Sequence, residues 1–324
     1  MKIVFHGNNA GTFRLGFEAY LEQAVGHDIL TVSDDLKDPD DLSHFETADV
    51  IVGTTFGSGQ PRPNSLRLYH VPGAGVDSIK AELLPDGAHL CNCFGHEHAI
   101  AEYVMTALLQ RVVPLADADA GLRQGEWRYW AGRSDALRPE LSGQTIGLFG
   151  FGHIGKAIAV RAKAFGMCIH VANRTRATEN DIVDKAYALD ELPAFMAATD
   201  AIVVSLPLNE ATAGIVGEIE FSAMQSHAVI INVGRGPVIN EQALFDALSD
   251  QSIGGAVIDT WYLYPAGADE KAEPSRLPFH QLDNVVMTPH MSGWTTGTVR
   301  RRQATIAENI RRLAGGEALL NQVN

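Results

Sequence analysis

Apolar residues along this chain gather in short runs closed by glycine or acidic residues, and between the runs they recur at helical spacing. Ile3-Val4-Phe5, Ile29-Leu30-Thr31-Val32, Val50-Ile51-Val52 and Leu66-Arg67-Leu68-Tyr69-His70-Val71 read as four successive strands, with a helix over residues 12–24 joining the first two. Runs so short and so uniformly apolar suit a parallel sheet covered on both faces. The acidic stretch 34–41 reads as a solvated loop. Over residues 97–118, Ile100, Val104, Ala107, Leu108, Val112 and Leu115 recur at helical spacing, which predicts one long helix leading out of the first sheet. A second alternation then supplies six strands, near residues 145–149, 168–172, 201–206, 228–233, 255–259 and 285–287, with helices between them. Residues 296–313 read as a closing helix that returns to the first sheet. The pattern predicts an α/β chain with two doubly wound parallel-sheet domains.

Length agrees with two domains: the chain has 324 residues, and a single core rarely grows past about 250–300. A formal net charge of -14 repels phosphodiester backbones and anionic lipid, which excludes nucleic acid and membrane as expected partners. No apolar run reaches the roughly 18 residues of a membrane span, and the start, Met1-Lys2-Ile3-Val4-Phe5, carries no export signal, so a cytoplasmic protein is expected. Cys91, Cys93 and Cys168 read as reduced thiols. Cys91, Cys93, His96 and His98 lie close in sequence, but their Cys-x-Cys and His-x-His spacing lacks a zinc knuckle, and no metal is expected.

Gly150-Phe151-Gly152-His153-Ile154-Gly155 follows the strand at 145–149 and opens a helix through Ile158 and Phe165. In that setting each glycine has its own reason. The first permits a tight turn, the second lets backbone approach a pyrophosphate, and the third lets the helix pack closely on the strand, while N–H groups at the helix start face phosphate oxygens. The spacing points to a dinucleotide held by Gly150, Gly152, His153, Ile154 and Gly155. At the end of the next strand an acid would accept hydrogen bonds from an NAD ribose. Here the chain reads Asn173-Arg174-Thr175-Arg176, so no carboxylate repels a 2′-phosphate, two guanidinium groups can pair with one, and Thr175 can donate its hydroxyl. NADP(H) is therefore preferred, with NAD(H) as an option.

Three further segments add chemistry. Val233-Gly234-Arg235-Gly236-Pro237 leaves a strand with an arginine between two glycines, where a guanidinium can meet a carboxylate; Thr288-Pro289-His290-Met291-Ser292-Gly293 puts a histidine after another strand; Gly73-Ala74-Gly75-Val76-Asp77 offers backbone N–H groups to a small anion. With Leu141-Ser142-Gly143-Gln144 before the glycine loop and Ser205-Leu206-Pro207-Leu208 after a core strand, the sequence resembles the D-isomer-specific 2-hydroxyacid dehydrogenases. That family includes glyoxylate/hydroxypyruvate reductases, phosphoglycerate dehydrogenases and formate dehydrogenase. The resemblance runs from the Gly73 loop to the final helix. It implies a flavodoxin-like substrate domain, residues 1–98 plus 290–324, with a Rossmann domain, residues 99–289, inserted in it, and a homodimer formed across the Rossmann domains. It implies hydride transfer from NAD(P)H to a small 2-oxo acid such as glyoxylate or hydroxypyruvate, giving a D-2-hydroxy acid. Residue by residue, Arg235 matches the substrate-binding arginine, His290 the acid/base histidine, and Ala74 and Gly75 the loop whose N–H groups bind the carboxylate. Leu206, Pro207, Val233 and Gly234 join the cofactor set, and Asp259 matches the acid near its nicotinamide end.

The chain departs from the family in one place. A glutamate that pairs with the histidine usually stands just before a proline after the Asp259 position, and here the run Asp259-Thr260-Trp261-Tyr262-Leu263-Tyr264-Pro265 has Tyr264 there. A phenol can orient an imidazole, but a neutral one supplies no charge to raise its pKa. Two alternatives therefore stand beside the reductase: an NAD-linked dehydrogenase of another hydroxy acid or small anion, and a dinucleotide-sensing binding protein with little turnover. Trp127, Trp130, Trp261 and Trp294 read as core or interface packing, and Arg300-Arg301-Arg302 as solvated or dimer-contact charges.

Overall fold

The computed structural model describes residues 1–324 except 22–25, 266 and 268–269, and the chain divides into two compact units, residues 1–96 with 294–324 and residues 97–293. His290, which the resemblance puts in the first domain, lies in the second unit.

In the first unit β1 (Lys2–His6) pairs in parallel with β2 (Asp28–Val32) and β3 (Val50–Val52), and β4 (Leu68–His70) and β5 (His89–Cys91) extend the sheet on the β3 side. The order β2-β1-β3-β4-β5 is the flavodoxin-like one. The first connection differs from expectation. α1 spans Gly7–Arg14 and a 3₁₀ turn follows at Phe17–Tyr20, because Gly16, at φ +69°, turns the chain out of the helix. Residues 22–24 of the expected helix lie outside the described residues. The acidic stretch 34–41 is also more than a loop, since its carboxylates satisfy N–H groups that helix starts leave open. Asp34 accepts the Asn8 N–H at 3.1 Å, and Asp38 caps α2 (Pro39–Glu46) by accepting the Asp40 N–H at 2.8 Å.

The second unit opens with α3 (Glu97–Val112) and α4 (Leu115–Leu122), two helices where one was expected. Pro114 has no N–H to give and disfavours helical backbone before it, and the axes bend there by 47°. No single helix among the described residues is long and apolar enough to cross a membrane. The sheet that follows holds β6 (Thr145–Phe149), β7 (Cys168–Ala172), β8 (Lys185–Tyr187), β9 (Ala201–Val204), β10 (Val229–Asn232), β11 (Gly255–Ile258) and β12 (Val285–Met287). Their order, β12-β11-β10-β9-β6-β7-β8, is the Rossmann order with one more strand, and it reverses direction between β6 and β9. β8, a short edge strand, was not foreseen. Alternate residues feed two cores: Phe149, Ile202, Val204, Ile230 and Ile258 on one face, and Leu148, Val203, Ile231 and Val257 on the other. The second face is covered by α3 and by α5 (His153–Ala164), through Ile100, Val104, Ile158 and Ala162.

Three shorter helices, α6 (Leu192–Ala197), α7 (Glu218–Ala223) and α8 (Glu241–Ser249), cover the first face before α9 (Thr296–Gly315) rejoins the first unit. α9 buries Ile306, Ala307, Ile310 and Leu313 against Ile3, Phe5, Phe13 and Phe17. Its polar side chains are tied down too. Gln303 Nε2 donates to the carbonyls of Phe13 and Leu15 at 3.0 and 2.8 Å, and Asn309 Nδ2 lies 2.9 Å from Nε2 of the fully buried His70, whose pKa burial lowers to about 4. Arg301, which is exposed, and Arg302, which is buried, donate to the carbonyls of Gly95 and Phe94.

Candidate active site

The carboxyl ends of β6, β9 and β10, adjacent in the sheet, carry the three loops named in the sequence. Gly150 has φ +101°, and a Cβ there would approach Ser205 Oγ to 3.0 Å and Leu206 Cδ2 to 3.1 Å. A Cβ on Gly155 would overlap the Gly150 carbonyl oxygen, so the third glycine lets α5 start against the turn. At Gly152 a Cβ would meet nothing within 4 Å. This is room beside a helix start that no side chain caps, where His153 and Ile154 begin the helix. Gly234 lies so close to the next loop that a Cβ would stand 2.7 Å from Leu206 O, which brings Leu206-Pro207 beside Val233-Gly234. A turn closed at two glycines and open at the third fits the pyrophosphate of a dinucleotide.

Past β7 the predicted 2′-phosphate residues part ways. Arg174 is exposed and makes no hydrogen bond or ion pair among the described residues. Asn173 Nδ2 donates to Thr175 O at 3.1 Å. Arg176 is turned elsewhere: Nε and Nη2 donate to Ala186 O at 3.2 and 2.9 Å, and Nη2 lies 3.3 Å from Glu191 Oε2.

Beyond β10, β11 and β12 the structure brings together Arg235, Asp259, Tyr264 and His290. Arg235 stands between two glycines for a steric reason. The Leu206 backbone crowds Gly234, and a Cβ on Gly236 would overlap the Trp261 carbonyl oxygen. Asn232, buried at the end of β10, fixes the turn by donating from Nδ2 to Arg235 O at 3.1 Å and accepting the Gly234 N–H at 3.1 Å. His290 has φ +56°, a left-handed backbone that is costly for a side chain of this size. Asp259 holds it there. Fully buried, its carboxylate accepts the Thr288 hydroxyl at 2.6 Å, the Met291 N–H at 2.8 Å and the Ser292 N–H at 3.0 Å. Its oxygens thereby brace the loop on either side of His290.

Tyr264 reaches His290 directly. Its hydroxyl oxygen accepts the Trp261 N–H at 3.1 Å and lies 2.9 Å from His290 Nδ1. A carboxylate can only accept from that nitrogen. A phenol can accept from Nδ1–H of the imidazolium or donate to bare Nδ1 of the neutral ring. Loss of hydration holds the His290 pKa below the usual imidazole value; Asp259 opposes that shift and Arg235 reinforces it. Loss of hydration likewise raises the Tyr264 pKa, so the phenol stays neutral through the physiological range. Ala74 and Gly75 lie in the first unit, partly exposed on the bend after β4.

Sequence reasoning missed Asn232, Thr288 and the support from Trp261, whose Nε1 donates to Thr288 O at 2.8 Å. The one signal for Asn232 was a polar residue closing an otherwise apolar strand.

Comparison with known proteins gives a consistent answer. The sequence model of the family described as D-isomer specific 2-hydroxyacid dehydrogenase, NAD binding domain, matches residues 105–292. A glyoxylate reductase of Thermococcus gammatolerans is 33% identical over 233 residues, 70% of this chain and 66% of that protein, so the match spans just under two thirds of the relative's own length. A glyoxylate reductase of Aeropyrum pernix is 31% identical over 268 residues, 80% of this chain and 76% of that protein. Among solved structures, a D-isomer specific 2-hydroxyacid dehydrogenase from Xanthobacter autotrophicus Py2, in complex with NADPH and MES, is 26% identical with a TM-score of 0.77, over 100% of this chain and 98% of that one.

Proposed function

The chain belongs to the D-isomer specific 2-hydroxyacid dehydrogenase family, and from that premise we propose that it reduces a small 2-oxo acid, such as glyoxylate or hydroxypyruvate, to a D-2-hydroxy acid, with NADPH as the preferred hydride source. The observation that carries this reading is the setting of His290: an imidazole held at Nδ1 by Tyr264, with no partner for Nε2 among the described residues. An imidazole gripped at one nitrogen and free at the other is a proton donor with a fixed direction. A purely sensing role needs neither the grip nor the strained backbone that Asp259 maintains.

Gly150, Gly152, His153, Ile154 and Gly155 hold the pyrophosphate, with Asn173, Arg174, Thr175, Leu206, Pro207, Val233 and Gly234 lining the rest of the dinucleotide's path. Bound nicotinamide supplies the hydride to the carbonyl carbon. Arg235 binds the substrate carboxylate with its planar fork and draws charge toward the carbonyl oxygen. His290 gives its Nε2 proton to the alkoxide that develops there, and Tyr264 keeps the ring aimed as its charge falls. Ala74 and Gly75 offer their backbone N–H groups to a carboxylate. Support for NADPH comes from the unpaired Arg174, the lack of an acid at Asn173 and the NADPH-bound Xanthobacter relative.

A homodimer completes the proposal. Leu115, Leu122, Trp127, Trp130 and Leu137, on α4 and the loop after it, are 74, 52, 62, 57 and 88% exposed. So much apolar surface in one stretch suits burial against a second copy of the chain, and sedimentation should find twice the monomer mass. The function is tested by steady-state assay of a panel of 2-oxo acids with NADPH and NADH, using wild type and Arg235→Ala. Reduction is expected to be faster with NADPH and to fall about a hundredfold or more in kcat/KM when the guanidinium is removed. Tight dinucleotide binding without reduction of any 2-oxo acid would transfer the protein to the sensing class.

A further inference from the structure

The bend after β4 is tied to the strand beside it through its carbonyl groups. Gly73 O accepts the backbone N–H of Cys93 at 2.9 Å, and Ala74 O accepts Nδ2 of Asn92 at 2.7 Å. In a trans peptide the C=O and the following N–H point in opposite directions. Drawing the carbonyls of residues 73 and 74 toward β5 and its continuation therefore turns the N–H groups of Ala74 and Gly75 away from it. Neither N–H finds an acceptor among the described residues. Two successive N–H groups left outward are suited to a small anion. One of the two anchors is backbone and survives any substitution; the other is the side chain of Asn92.

Asn92 is itself braced from behind. Its N–H donates to Asn321 O at 3.2 Å, its carbonyl accepts from Asn321 Nδ2 at 3.3 Å, and Cys91 bridges Gln322 in antiparallel fashion. The segment after α9 thus fixes the backbone of the half-buried residue whose amide fixes the Ala74–Gly75 peptide.

We propose that Asn92 is a positioning residue for the substrate: its amide sets the plane of the Ala74–Gly75 peptide, so that both N–H groups meet the carboxylate of the 2-oxo acid. The inference rests on the reductase reading above. Without the Asn92 donor, the Ala74 carbonyl must seek another partner, and the peptide turns away from the carboxylate. The carboxylate is held alike before and during hydride transfer, so the loss falls on KM and spares kcat.

The test uses the full-length protein. Asn92→Leu removes the donor at similar size and without charge, and Asn92→Asp removes it with the shape kept. For the best 2-oxo acid in the panel, KM is expected to rise about three- to tenfold in Asn92→Leu and at least as much in Asn92→Asp, with kcat and NADPH affinity within about twofold of wild type. If one variant does not fold, the other is judged by the same criteria. An unchanged KM in a folded variant overturns the inference, and so does a fall in kcat with KM unmoved. A wild type that reduces no 2-oxo acid overturns the reductase reading, and the inference with it. An active wild type with indifferent Asn92 variants overturns the inference alone.

Discussion

Two regions of the second unit are built on opposite terms. The loop from Gly150 to Gly155 is shaped by missing atoms: a Cβ would be crowded at Gly150, would overlap backbone at Gly155, and would meet open space at Gly152. The corner of Arg235, Asp259, Tyr264 and His290 is shaped by donors and acceptors: the Tyr264 oxygen meets two groups and the Asp259 carboxylate three, all on or beside the His290 loop. The first region should fail by crowding. The second should fail when the number of protons or lone pairs changes, even at constant volume.

The largest expected effect is at the corner. His290→Ala should lower kcat by about two orders of magnitude or more, the usual worth of a general acid, while NADPH affinity stays within about twofold. Near-normal turnover would remove His290 from the chemistry and break the comparison. In the glycine loop, Gly155→Ala should cost about 1–3 kcal/mol of unfolding free energy, because the new methyl must displace the Gly150 carbonyl. Gly152→Ala sharpens the contrast. Its methyl meets no protein atom, so stability should hold within about 0.5 kcal/mol while NADPH binding weakens. A Gly152→Ala protein that binds NADPH as well as wild type does would show that the open space is not the dinucleotide's.

How much could be read beforehand follows the same division. Glycine spacing writes a demand of the backbone directly into residue names, so the cofactor loop and the apolar strand runs were legible. Motifs singled out Arg235 and His290, and the place before Pro265 singled out Tyr264, which the structure sets against His290. What stayed hidden were partners made by the fold alone. Nothing near Asp259 in sequence says that its oxygens meet Thr288, Met291 and Ser292, and nothing near Asn92 says that it reaches Ala74. The helix over 97–118 failed for another reason: its apolar spacing ran on through Pro114, where backbone chemistry overrode the pattern.

A smaller effect is expected from charge at the corner. Reduction needs His290 protonated, and its pKa is held below the usual value, so activity should decline as pH rises through that lowered pKa. Tyr264→Glu places a negative charge where a neutral phenol stood, which favours the imidazolium and raises the pKa. The alkaline limb of kcat/KM should move to higher pH by about one unit. A limb that does not move in a folded variant would separate residue 264 from the proton balance of His290, and Glu97, at the start of α3, would be the next carboxylate to test.

The smallest effects are expected where a side chain on the cofactor loop already has a partner. Arg174 and Arg176 looked equivalent in sequence, both a short step past β7, but only Arg174 is without a protein partner among the described residues. An exposed guanidinium meeting a phosphate gains less than a buried one, because water screens it. Arg174→Ala should therefore weaken NADPH binding only about three- to tenfold, and leave NADH binding unchanged, since NADH has no 2′-phosphate to lose. Arg176 already donates to Ala186 O and pairs with Glu191. Its removal should change the NADPH-to-NADH affinity ratio by less than about twofold and act instead on the edge strand β8, which contains Ala186. Fluorescence titration of both variants with both reduced cofactors decides the matter. A larger change in the ratio for Arg176→Ala would mean that the guanidinium leaves Glu191 when the phosphate arrives. An equal loss of NADH and NADPH in Arg174→Ala would mean that the residue supports the loop and reads no phosphate.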